Sequence, residues 1–72
     1  MNKLNTRKLA SIRALFDLNM SDMAKIIDAT SVTYSRKENG ENEFKLLEAK
    51  AIADYIDELD ESKKWYIEDI FF

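Results

Sequence analysis

The 72-residue chain has no cysteine, no histidine and no proline, and its single glycine is Gly40. Without cysteine there can be no disulfide framework, and without cysteine or histidine a zinc site of the usual ligands is excluded. The same absences, with no Gly-rich phosphate loop, predict a protein that is not an enzyme and holds no metal or cofactor. So few turn residues argue against a many-stranded β fold and leave helices joined by short polar turns. No apolar run approaches the length of a membrane span, and the first residues lack the apolar stretch of a signal peptide. The expectation is a soluble cytoplasmic protein with no membrane contact, and the lack of cysteine accords with a reducing compartment.

What is present fits one small all-α domain over residues 1–72, in which every apolar face is needed for the core. Apolar spacing predicts five helices. Leu9, Ile12 and Phe16 mark the first (6–16); Met23, Ala24 and Ile27 the second (20–27). A third spans 31–39. The fourth (45–56) carries the stripe Leu46, Ala49, Ile52, Ala53 and Ile56. The last, aromatic helix spans 62–70. Asn19 and Thr30 are good N-caps for the second and third helices, and Gly40 stands where a helix end needs a left-handed residue. Charge is uneven. Residues 1–37 hold seven basic against three acidic side chains, a balance of +4, and residues 38–72 hold four against eleven, a balance of −7. The net is −3, an unusual sign for a nucleic-acid binder. Arg7 and Lys8 lie in the first turn of the first helix, against the dipole preference, which points to a contacting role.

Two short helices joined by the tight turn Asp28-Ala29-Thr30 make the pattern of a groove-reading unit, in which the first braces the second. The stretch LNMSDMAKIIDATSVTYSRKENG, residues 18–40, resembles the helix-turn-helix of Cro/C1-type phage repressors. The resemblance is carried by Ala24 in the middle of the second helix and by the Glu38-Asn39-Gly40 ending of the third. It implies a five-helix, lambda-repressor-like domain acting as a transcriptional regulator on a double-stranded DNA operator. It further implies that Ser31, Val32, Ser35 and Arg36 face base edges, with Arg36 suited to guanine and Val32 to a thymine methyl. Asn19 and Met20, at the amides that open the second helix, would hold a phosphate, with Lys37, Asn39 and Lys45 as further backbone contacts. An Arg13–Glu38 ion pair would lock the first helix to the reading unit.

Three departures from the family weaken the DNA reading. Asp28 replaces the usual turn glycine, Met20 replaces a common Gln, and Glu41 and Glu43 stand where relatives often have Lys or Arg. The size and acidic balance are also similar to small phage proteins that modulate repression by binding a C1-type repressor. Trp65, Ile67, Ile70, Phe71 and Phe72 cover more than one face of a single helix. They predict an exposed apolar patch for a second copy or a different protein. The acidic run 57–61 reads as a solvated turn.

Overall fold

The chain turns from one helix to the next by the same local device three times. In the computed structural model, which describes residues 4–72, the elements are α1 (Leu9–Leu15), α2 (Met20–Ile26), α3 (Ser31–Glu38), α4 (Leu46–Leu59) and α5 (Ile67–Phe71). There is no strand among the described residues. Of the domain expected over 1–72, residues 1–3 lie outside the described residues. Each of α1, α2 and α3 ends in a Schellman turn, in which two amides past the helix satisfy its last carbonyls. For α1 the Leu18 amide bonds the Arg13 carbonyl (3.0 Å) and the Asp17 amide that of Ala14 (3.0 Å). For α2 the Ala29 amide bonds Ala24 (2.8 Å), and for α3 the Glu41 amide bonds Arg36 (2.9 Å).

The motif needs a left-handed residue, and the three used are Asp17 (φ 57°), Asp28 (φ 56°) and Gly40 (φ 85°). Aspartate enters that region at some cost, and its carboxylate lies at the negative end of the helix dipole. Asp28→Gly is therefore expected to stabilise the domain by about 0.5–1 kcal/mol, the gain being reduced by the greater freedom of glycine in the unfolded chain. A denaturant midpoint that does not rise would show that the Asp28 carboxylate makes a compensating interaction.

Helix starts are equally local. The Asn19 side chain accepts from the Asp22 amide (2.7 Å) while Asp22 accepts from the Asn19 amide (2.9 Å), a reciprocal capping box. Thr30 accepts from the Thr33 amide at 3.1 Å. At α4 the Glu48 carboxylate reaches back to the Lys45 amide at 2.9 Å.

The core draws on every helix: Leu9 and Ile12 of α1, Met23 and Ala24 of α2, Tyr34 of α3, Ala49, Ile52, Ala53 and Ile56 of α4, and Ile70 and Phe71 of α5. A row of rings runs through it. Phe44 meets Tyr34 edge-on at 5.9 Å between centroids and Phe71 at 5.4 Å. Phe44 comes from the connection before α4 and takes an inward place, whereas Leu46, expected in the apolar stripe, is exposed. Leu46 opens α4 on the flank of its buried face, and Phe44 has already filled the space. The Cα radius of gyration, 11.1 Å, matches the roughly 11 Å of a compact chain this long.

Three helix boundaries differ from expectation by three residues or more. Helix α1 begins at Leu9 instead of residue 6, so Arg7 and Lys8 precede it and do not stand in its first turn; α4 runs on through Leu59; and α5 begins at Ile67 instead of residue 62. The segment before α5 is held instead by the carboxylates of Asp57 and Asp60. No described helix is long and apolar enough to cross a membrane.

Candidate nucleic-acid interface

Helix α3 is fixed from within. Glu38 is 8% exposed and accepts three hydrogen bonds: Arg13 Nε to Oε2 (2.9 Å), Arg13 Nη2 to Oε1 (3.2 Å) and Tyr34 Oη to Oε2 (2.7 Å). Arg13 also donates Nη1 to the Leu18 carbonyl at 3.0 Å, tying α1 to the entry of α2. The hydrogen bond to Glu38 raises the Arg13 pKa above its ordinary value, outweighing the opposing effect of burial. Burial, then the bond to Glu38, pushes the Tyr34 phenol far above its usual range. Both groups are held in their protonated forms. No buried side-chain polar atom among the described residues lacks a partner.

The opposite face of α3 is open. Ser31, Val32 and Arg36 are exposed and Ser35 is half-buried. These are the four residues expected at base edges. Helical spacing sets Val32, Ser35 and Arg36 together on one side while Tyr34 and Glu38 share the other; Ser31 lies in line with Tyr34 and is exposed because it opens the helix. Asn39 and Lys45 are also exposed.

The remaining residues expected at phosphates, Lys37, Met20 and Asn19, have side chains engaged within the protein. Lys37 donates to both oxygens of Glu48, at 2.6 and 2.8 Å, with both side chains mostly buried. It is a strut between α3 and α4, and its charge is neutralised. Burial tends to raise the Glu48 pKa, but the hydrogen bonds from Lys37 and the Lys45 amide outweigh it and hold that carboxyl below its usual range. Met20 packs its side chain against the core, as an apolar residue at the start of an amphipathic helix does. The Asn19 oxygen is used in the capping box, whose second half sets the Asp22 carboxylate at the α2 N-terminus. A phosphate approaching there meets a negative charge.

The expected C-terminal patch divides. Ile70 and Phe71 are 0% exposed and belong to the core, Trp65 and Ile67 are half-buried, and Phe72 is 47% exposed. The expectation assumed a helix from residue 62, whose single inward face could not take them all. In the structure Trp65 precedes α5 and is directed independently of it. The short helix is then free to turn Ile70 and Phe71 inward, with Ile67 beside them.

The acidic run is more than a solvated turn. Asp57 Oδ1 accepts from the Trp65 amide and Asp60 Oδ2 from the Trp65 indole, each at 2.9 Å. Asp57 also takes Lys64 Nζ at 2.9 Å. Phe16 meets the indole edge-on at 5.9 Å, and Lys63 Nζ lies 4.0 Å from its centroid. The bonds from Lys64 and the Trp65 amide depress the Asp57 pKa, and those from Ser62 and the indole depress that of Asp60. A depressed carboxyl supports this arrangement fully above its ordinary pKa, about 3.9, and loses it as pH falls through the lower folded value. The fluorescence of the lone tryptophan should accordingly hold steady down to about pH 4 and change below it. In Asp60→Asn the emission should be shifted already at neutral pH and the acid step reduced. An unchanged profile in that variant would rule the indole contact out.

Sequence reasoning missed Phe44, the Lys37–Glu48 strut and the hold on Trp65, none of which follows from apolar periodicity. No protein-family model matches the chain, and neither does any curated protein or solved structure.

Proposed function

We propose that the chain is a non-enzymatic transcriptional regulator of a phage-type lysis/lysogeny switch that acts in the cytoplasm and reads operator DNA with the outward face of α3. One observation carries the reading: Arg36, flanked by Ser31, Val32 and Ser35, stands exposed with no side-chain hydrogen bond or ion pair among the described residues, on a helix braced from behind by Glu38 and Tyr34. A guanidinium so placed suits the O6 and N7 of guanine, and the Val32 methyls suit a thymine methyl. Asn39 and Lys45 would steady the backbone. Two copies would meet a two-fold operator with half-sites about one helical turn apart.

The test is selection from random-sequence duplex DNA at low salt, followed by anisotropy titration. Arg36→Ala is expected to weaken binding to the selected site roughly tenfold or more, the effect of losing one bidentate base contact. With few unpaired cations near α3, the salt dependence should be shallow. If no sequence is enriched, or Arg36→Ala binds as well as the parent, the reading is wrong.

A second reading is favoured by the carboxylates around α3, with Asp22, Asp28 and Glu41 near the helix and Lys37 neutralised. Here the chain is an antirepressor that binds a C1-type repressor and alters its grip on DNA. Co-purification with a repressor's N-terminal domain, with the mass read by light scattering, supports it. Absence of a complex at micromolar concentration removes it.

A further inference from the structure

Helix α4 buries Ala49, Ile52, Ala53 and Ile56 on one side. A second apolar row starts opposite that side and winds toward its edge, with most of its residues exposed. Leu47, Ala51, Tyr55 and Leu59 recur every four residues and form one i+4 ridge about 18 Å long. Leu47 is 80% exposed, Tyr55 38% and Leu59 45%. Along one flank of this ridge Lys50, Asp54 and Glu58 also recur every fourth residue. Lys50 is taken by Asp54 at 3.4 Å. Glu58, and Glu61 beyond the helix end, are exposed and have no cation within ion-pair distance among the described residues.

We propose that this ridge is a docking surface for an amphipathic helix of another protein, one with an apolar i+4 row and Lys or Arg along one edge. Two features select that occupant. A ridge with this repeat packs into the grooves of a facing helix, and the uncompensated carboxylates beside it favour a cationic edge and disfavour an acidic one. DNA is repelled by the same carboxylates. A second copy would bring the same acidic flank, and the one cation within its α4, Lys50, is already paired with Asp54. The inference is independent of α3 and stands whether or not that helix reads DNA. The cleft of about 320 Å³ between α4 and Trp65 competes less well, since its Lys50 and Lys64 are already paired with Asp54 and Asp57.

The test titrates the whole isotope-labelled chain with two synthetic helices. One has Leu at i+4 spacing with Lys on one edge; the other is identical with Glu in place of Lys. The Lys helix is expected to shift the amides of α4 between Leu47 and Leu59 and to bind at least tenfold more tightly than the Glu helix. Leu59→Ser should weaken it about tenfold. Tyr55→Ser should do the same, with the amides of α1 and α3 unmoved in both variants as proof of folding. Three outcomes overturn the proposal: no preference for the Lys helix, shifts confined to residues 64–68, or sedimentation showing that the ridge is covered by a second copy which the peptide does not displace.

Discussion

Arg13→Ala is expected to cost the domain about 3 kcal/mol, the lower end of what breaking a buried ion pair costs. Truncation leaves the Glu38 carboxylate inside the protein with only the Tyr34 hydroxyl to solvate it. The lower end applies because the Arg13 side chain is 19% exposed, so water can reach part of the vacated space. A domain of this length has roughly 4–11 kcal/mol in total, so the variant should be near the edge of folding at 37 °C. The loss measures an abandoned charge more than the worth of the pair. Replacing all three polar members by apolar ones (Arg13→Met, Tyr34→Phe, Glu38→Leu) should bring stability back to within about 1 kcal/mol of the parent. Denaturant midpoints for the single and triple variants decide the matter. A single variant within about 0.5 kcal/mol of the parent would show the cluster to be unimportant, since surface changes commonly have effects of that size.

That cluster also separates what a sequence discloses from what it withholds. The caps at Asn19 and Thr30 and the left-handed turns at Asp28 and Gly40 involve residues two to five apart. Local chemistry dictates them, so they are legible directly. The core faces of α1, α2 and most of α4 follow from apolar spacing for the same reason. Arg13 and Glu38 are 25 positions apart. Nothing in the periodicity of either helix joins them, and the expectation of a pair came only from a resemblance. Lys37 and Glu48 show the converse. A lysine on a helix expected to face DNA invites a phosphate, and only the packing of α4 beside α3 supplies the nearer carboxylate. Phe44 lies in a polar stretch without period, so its burial depends on the space between Tyr34 and Phe71. The start of α5 was hidden because Asp57, eight residues earlier, captures the Trp65 amide and holds the preceding segment, which leaves Asp69 to cap the helix at the Tyr66 amide. Long side chains reaching between elements shape this domain as much as its helical stripes do.

The adjacent pair Phe71 and Phe72 puts the sharpest test to the aromatic end of the chain. Phe71→Ala is expected to destabilise by about 3–5 kcal/mol, the cost of removing a large ring from a closed core. Phe72→Ala should change stability by no more than about 0.5 kcal/mol. Phe71 has no exposed surface and closes the row of rings through Phe44. Its carbonyl accepts from the Asn5 amide at 2.6 Å, so the same residue fastens the segment before α1 to α5. Losing the ring should therefore speed amide exchange at Asn5 as well as lower the unfolding midpoint, a second readout that a simple surface role would not move. Ile70→Ala should follow Phe71→Ala at about 2–5 kcal/mol. If both alanine variants kept their midpoints and instead lost an association, the residues would belong to an interface, as the sequence alone implied. The one-residue offset decides between these outcomes, because Phe71 is the last residue of α5 and is closed into the core beside Ile70, whereas Phe72 lies past the helix end and is half exposed.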